Sequence, residues 1–342
     1  MNQLVYSRVE LLSNHDYLRP QVESGYRLHG GFDAEGKYRS PRTRLRWPAV
    51  NNWARALEER GHPLVDATTR LLSRGAYPNQ AQQKFLLDAG MGQTLWNSLT
   101  ITGVVEARGG FLAQMDCPDF QAIIVEDIAN TCTGHLGKGL LNAHGHDEAG
   151  DRARGEGGHD TMWFAVRDLL FGKDAYRLPE EPGRLARPEP GRLMPQVPPE
   201  HEQLILLLMN VLMIEVRAES AFRFYIDLAR DPTLFRERRA EADHAAVLIE
   251  RIREDEQIHV AYLRAAVSEL RSFTFKSDKA APIAGREFID PVWNGLVRYH
   301  SVTVLEQQRD MTRTAIVERL GALPDGEKRV AAFDALEREA LN

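Results

Sequence analysis

Two stretches of the chain repeat apolar residues at helical period and set acids inside the apolar face. Between about 238 and 271 the stripe reads Ala245, Leu248, Ile249, Ile252, Glu256, His259, Val260, Leu263, Val267 and Leu270, one face of a helix at ~3.6 residues per turn. The charged Arg251, Arg253, Glu254 and Asp255 fall mostly off that face. Upstream, Leu204, Leu208, Val211, Glu215, Ala218, Glu219, Phe222 and Ile226 form a matching stripe with two acids at its centre. A carboxylate inside an apolar stripe needs a partner once it is buried. The two predicted helices are therefore expected to carry chemistry in their core face.

The rest of the pattern is less regular. Ile123, Glu126, Ala129, Asn130, Thr133 and Gly137 predict a helix with an apolar-to-small face. The run Met162, Trp163, Val166, Leu169 and Leu170 predicts another, with His159 in its first turn. Before it, Gly155, Gly157 and Gly158 surround Glu156, and each costs a helix about 1 kcal/mol relative to alanine. Further helices are predicted at about 47–60, 80–106, 290–321 and 325–340, and residues 1–46 read as an irregular, Gly- and Arg-rich wrapping arm. From Gly172 to Glu200 the prolines are spaced so as to forbid helix, leaving a long link that can span a bundle.

The acids and histidines on these segments fall into one pattern, twice. Glu126 is followed by Glu156-Gly157-Gly158-His159, and Glu219 by Glu256-Gln257-Ile258-His259. Glu at i and His at i+3 share a helix face and can reach one metal ion, while a lone Glu on the neighbouring antiparallel helix completes a half-site. The separations, 30 and 37 positions, suit helical hairpins. Glu126, Glu156, His159, Glu219, Glu256 and His259 are the candidate metal ligands, with Glu215 the alternative to Glu219 because both lie on the same stripe. Four carboxylates and two imidazoles from four helices are a set that bundles use to hold two iron or manganese ions.

These residues resemble the ferritin-like di-iron carboxylate superfamily. In motif they are nearest to the arylamine N-oxygenases, whose pattern is Glu, about thirty residues, then Asp-Glu-x-x-His. Glu219 is followed after 35 residues by Asp255-Glu256-Gln257-Ile258-His259, a full match. The first copy departs from it: after Glu126 and 28 intervening residues stands Gly155 where the family has Asp, with Asp127 or Asp160 as substitutes. The resemblance implies an all-α, ferritin-like four-helix bundle at 118–271 with a long crossover between its second and third helices. Residues 1–117 and 272–342 would add accessory helices. It implies two Fe ions, with Mn or mixed Mn/Fe as alternatives, and O2 activation for oxidation of a small-molecule substrate. An electron donor such as a ferredoxin or a reductase follows, with a homodimer left open. Asp255 would orient a ligand histidine, and Ala129, Thr133, Trp163, Phe222 and Tyr262 would line a substrate pocket.

Composition narrows the alternatives. A net charge of −6 argues against general nucleic-acid affinity. The basic run Lys37, Arg39, Arg42, Arg44 and Arg46 is read as a solvated arm or a salt-bridged contact with the acidic body. The longest apolar stretch, Leu204 to Ile214, has 11 residues and does not span a bilayer. Two cysteines, Cys117 and Cys132, leave no disulfide framework, and the expectation is a cytoplasmic protein. Two other functions compete: a ferritin-type bundle that handles iron without catalysis, and an HD-type metal-dependent phosphohydrolase. The latter is suggested by His144-Gly145-His146-Asp147 and His159-Asp160. His144 and His146 are expected in a loop, and His135 is placed poorly for sharing a metal with Glu126.

Overall fold

Helical period in the sequence becomes helix over most of the chain. The computed structural model describes residues 3–339 apart from 15, 16, 182, 184, 185, 190 and 278–280. The helices are α1 (Arg8–Leu11), α2 (Thr43–Glu59), α3 (Gln80–Asp88), α4 (Gln93–Gly109), α5 (Phe120–Ile123), α6 (Leu140–Ala149), α7 (His159–Phe171), α8 (Pro199–Arg230), α9 (Arg239–Ser272), α10 (Arg286–Arg298), α11 (Val304–Gly321) and α12 (Gly326–Glu339). The strands are short: β1 (Arg19–Glu23), β2 (Tyr26–Phe32), β3 (Tyr38–Arg39), β4 (Thr274–Phe275) and β5 (Ile283–Ala284). No helix among the described residues is long and apolar enough to cross a membrane.

Proline at the first position and Glu200 and Glu202 in the first turn start α8, where neither a missing N–H nor a negative charge is penalised. α8 and α9 pack as a long hairpin, α7 lies on α9, and α4 lies on α7 and α6. Tyr225 of α8 reaches Ser98 and Thr102 of α4 and closes the ring of helices. The Pro-rich crossover runs from α7 to α8 without helix, four of its positions lying outside the described residues.

Two apolar clusters fill this ring, one above the other. The first takes Leu204, Leu208, Leu212 and Met213 of α8 with Leu263, Val267 and Leu270 of α9. The second takes Phe222 and Ile226 of α8 with Ala245, Leu248, Ile249 and Ile252 of α9, plus Met162, Trp163 and Val166 of α7. On α8 and α9 the buried Glu215, Asp255, Glu256 and His259 fall between the two clusters. The stripes thus carry a polar layer at mid-height.

Four expectations are corrected. Residues 118–137 are not a ligand helix. After the four-residue α5 the chain pairs Ile124 with Phe275, turns on the Asp127 side chain, and runs through a 3₁₀ turn at Thr133–Lys138. Asp, Thr and Gly favour turns here over helix. The 80–106 segment is two helices, broken at Gly90 with φ +75°. The 290–321 segment is α10 and α11 joined by a π turn at Tyr299–Thr303. Within the arm expected to be irregular at 1–46, the stretch from Arg19 to Arg39 carries the antiparallel sheet β1-β2-β3. That sheet extends to the bundle, because His29 N–H donates to Gly157 O at 2.8 Å and Gly157 N–H to Arg27 O at 2.9 Å.

The glycines around Glu156 mark an excursion between α6 and α7. Gly150 ends α6 at φ 69°, ψ −164°, a region closed to other residues, and a Cβ there would lie 2.2 Å from Glu156 O. Gly155 has φ 65°, ψ 29°, and a Cβ there would meet nothing within 4 Å. Gly155→Ala is therefore expected to cost about 1 kcal/mol, and Gly150→Ala about 3 kcal/mol or more. Chemical denaturation of the two variants checks the order, and equal costs would contradict this account of the excursion.

Candidate metal centre

The polar layer gathers side chains from α4, α6, α7, α8 and α9. At its centre His159 opens α7 and His259 sits mid-way along α9, both fully buried. Glu256 faces both rings, with Oε1 2.9 Å from His159 Nδ1 and Oε2 3.0 Å from His259 Nδ1. Glu148, near the end of α6, faces both as well: its Oε1 is 3.5 Å from His159 Nδ1 and 3.3 Å from His259 Nδ1. Glu106 of α4 lies beside Glu148 and accepts Trp163 Nε1–H at 3.2 Å. Glu215 of α8 lies on the other side, 3.2 Å from His144 Nε2. His144 stacks on His259 at 3.7 Å between centroids, and its Nδ1 pairs with the Tyr262 hydroxyl at 2.7 Å.

The outer ring nitrogens of the two central histidines are held by acids in a crossed arrangement. Asp255, next to Glu256, meets His159 Nε2 at 3.2 Å, and Asp147, next to Glu148, meets His259 Nε2 at 3.2 Å. Each half of the site thus orients the other half's histidine. An Nε2–H donated to carboxylate leaves the Nδ1 lone pair turned toward Glu148 and Glu256, the arrangement that metal-binding histidines use. Asp147 is in turn held by Arg42 Nη2 at 2.5 Å and Arg46 Nη1 at 2.7 Å. Asp255 takes the Ser40 hydroxyl and His29, whose Nε2 is 3.2 Å away.

These donors fit a metal. His144, Glu148, Glu215 and His259 offer ligand atoms within 4.8 Å of one another, as do Glu148, His159, Glu256 and His259. Glu148 Oε1, Glu256 Oε1 and His159 Nδ1 are sealed from solvent with no hydrogen-bond partner, although two of them are 2.9 Å apart. Buried polar atoms left without a partner call for an explanation, and donors directed at a shared ion supply one. Protonation of the protein alone follows the same logic. Burial, then Glu148, pushes Glu106 well above the carboxylate range; burial, then Glu256 and Glu148, does so for Glu215. Burial opposes charge on His159 and His259, but Glu256 and the acids around the rings prevail and hold both well above the imidazole range. Protons thus gather where cationic charge is needed.

Of the six ligands expected from spacing, His159, Glu256 and His259 come together here; the other three carboxylates do not. Glu126 accepts Thr274 N–H at 2.9 Å, at the edge of the β4 bridge. Glu156 lies on the glycine excursion, 3.8 Å from Arg27. Glu219 is clamped by Arg223 at 2.9 Å and by Arg253 at 2.6 Å. Glu106, Glu148 and Glu215 occupy the layer instead, and His144, expected in a loop, lies on α6 within it. Asp255 pairs with His159 and Asp147 with His259, whereas among the described residues Asp127 and Asp160 bond to nearby backbone and Thr161. Of the two His-Asp pairs on which the phosphohydrolase reading rested, Asp147 and His159 both lie in the layer, paired there with His259 and Asp255. His135 is elsewhere, stacked on Trp53.

Of the pocket candidates, Trp163 and Tyr262 touch Glu106 and His144, and Phe222 packs on Trp163. Ala129 is exposed in a turn, and Thr133 donates to Glu269 at 2.8 Å. Two surface grooves, lined by Met115 to Pro118 with Glu200, and by Leu87, Phe171 and Phe235, do not touch the layer.

A signal for the missed residues stands in the sequence. Asp147-Glu148 mirrors Asp255-Glu256, and the intervals Glu106 to Glu148 and Glu215 to Glu256 are 42 and 41 positions. His259 then follows Glu256 by three residues, whereas His159 follows Glu148 by eleven, because the excursion intervenes. Comparison with protein-family models, curated proteins and solved structures returns no match. What the residues establish is a predominantly helical chain with a buried His/Glu/Asp cluster able to hold metal.

The placement of Glu215 and Glu219 gives a direct test. Glu215→Gln is expected to lower metal affinity about 10-fold or more, while Glu219→Gln leaves metal content unchanged. Metal quantification after dialysis against weak chelator reads both, and the reverse result would return the ligand role to Glu219.

Proposed function

We propose that this chain is an O2-activating dinuclear iron oxygenase or oxidase of ferritin-like type, acting on a small organic substrate. The observation that carries the reading is the pair of crossed half-sites: Glu106, Asp147-Glu148 and His159 in one, Glu215, Asp255-Glu256 and His259 in the other. Charge supports two divalent ions. Four glutamates balance two dications, while Arg42 and Arg46 both pair with Asp147 and Asp255 is held by Ser40, His29 and His159. A mixed carboxylate and imidazole set suits iron or manganese better than a thiolate-seeking metal.

A bound ferrous pair would supply reducing power for O2. The residues around it have their own tasks. Glu148 and Glu256, each facing both histidines, would hold the metal together with His159 and His259, and Glu106 and Glu215 would add a carboxylate each. His144 adds a third imidazole on the Glu215 side, held in orientation by Tyr262. Trp163, donating to Glu106, fixes that carboxylate and excludes water from its side of the layer. In an N-oxygenation or hydroxylation, one oxygen atom enters the substrate and the other leaves as water. Two electrons from a ferredoxin or reductase and two protons complete the balance.

The test is single-turnover. Protein loaded anaerobically with ferrous iron is expected to bind about two ions per chain. On exposure to O2 with a panel of arylamines, aliphatic amines and carboxylic acids, at least one compound should yield an oxygenated or dehydrogenated product stoichiometric with the centre. Continuous conversion of excess ferrous iron to mineral, with no organic product, would instead establish the iron-handling function. Failure to retain iron or manganese would end both.

A further inference from the structure

His29 stands on β2, beside the metal layer, with both ring nitrogens sealed from solvent and neither in a hydrogen bond. A buried imidazole in that state calls for an explanation. Its place is fixed by the backbone. His29 N–H donates to Gly157 O at 2.8 Å, two residues before His159 on the chain, and Leu28 bridges the same glycine. The His29 ring stands edge-on to that of His159, with centroids 5.1 Å apart and planes at 81°.

Both rings converge on one oxygen. His29 Nε2 and His159 Nε2 each lie 3.2 Å from Asp255 Oδ2, while Asp255 Oδ1 takes the Ser40 hydroxyl. His29, His159 and Asp255 offer one ligand atom each within 4.8 Å of one another, and none of the three is more than 1% exposed. Ligand atoms held at ~2.0–2.1 Å by one tetrahedral ion lie roughly 3.3 Å apart, close to the spacing observed. Such distances also suit hydrogen bonds, and His159 makes one. His29 does not: its Nε2 is near the carboxylate without donating to it. Charge points the same way. Asp147, the counterpart of Asp255, is held by Arg42 and Arg46, whereas among the described residues no arginine or lysine lies within 4.0 Å of Asp255.

We propose that His29, Asp255 and His159 Nε2 form a separate site for one zinc ion, which ties β2 to α7 and α9. Two imidazoles and a carboxylate are a set that zinc takes, with a water in the fourth position. The ion replaces the Nε2 proton that His159 gives to Asp255, and Nδ1 of the same ring still faces Glu148 and Glu256. None of the glutamates of the layer is used. The site therefore requires neither iron in the layer nor the proposed activity.

The test is to load the intact chain anaerobically with ferrous iron and titrate it with Zn2+, counting zinc by elemental analysis and locating it by anomalous diffraction at the zinc edge. One zinc is expected with His29, Asp255 and His159 as ligands at about 2.0–2.2 Å. Amide hydrogen exchange across β2 should slow when zinc is added. His29→Ala should weaken this zinc by more than the roughly 10–100-fold typical of groups that only support a ligand, and should remove the protection of β2. Glu215→Gln, which alters the layer alone, should leave it in place. If His29→Ala does not fold, the wild-type zinc position and the exchange of β2 decide. Zinc confined to the layer, no bound zinc, or zinc at His29 that His29→Ala fails to weaken would overturn the site. Zinc at His29 in a chain that retains no iron would support it while ending the proposed function.

Discussion

The structure turns on the burial of a charged layer across an apolar bundle. Above and below it α8 and α9 are lined by Leu, Ile, Val and Phe; within it stand Glu106, Asp147, Glu148, Glu215, Asp255 and Glu256, all buried. Each such ion costs several kcal/mol to desolvate unless it is paired, more than the roughly 2 kcal/mol gained by burying a Leu or Ile beside it. The layer is therefore tenable only with cationic partners in fixed places. His159 and His259 supply some, Arg42 and Arg46 others, and the convergent donors left over match metal ions.

This requirement explains the N-terminal segment. Ser40, Arg42 and Arg46 reach the layer from the start of α2, and His29 reaches it from β2. Arg42 takes a left-handed backbone at φ 59°, a cost repaid by the Asp147 and Asn14 contacts of its guanidinium. The sheet that carries His29 is pinned to Gly157, on the loop that leads into His159. Residues before 117 are thus part of the site, and the basic run read as a salt-bridged contact with the acidic body does form one through Arg42 and Arg46. Arg39, in the same run, pairs locally with Asp33.

The two halves are alike in logic and unlike in detail. In the second, Glu256 and His259 share one unbroken helix; in the first, Glu148 ends one helix and His159 begins the next. Close approach at Gly150 and Gly158, where a Cβ would meet backbone atoms at 2.2 and 2.4 Å, lets the chain leave and return without displacing Asp147. The extra ligand-capable residue, His144, lies 3.2 Å from Glu215, so the two halves differ in nitrogen content.

What was legible in the sequence follows from locality. Helical period predicted α7, α8 and α9, the proline spacing predicted the crossover, and an acid and histidine at i, i+3 within an apolar stripe located Glu256 and His259, because a helix fixes those relations by itself. The choice between Glu215 and Glu219 was not local. Both lie on the stripe, and Glu219 is held out of the layer by Arg223 on its own helix together with Arg253 on the neighbouring one. The first half-site was harder still, since the Glu-x-x-His at Glu156 satisfied the spacing while its glycines placed it on an excursion, and the carboxylate that enters the layer, Glu148, came from the helix before. The positions of α7, α8 and α9 and the burial of acids beside histidines were properties of the sequence; which carboxylates enter the layer was decided by tertiary packing, because burial and the placement of arginines select among acids that sequence spacing leaves equivalent.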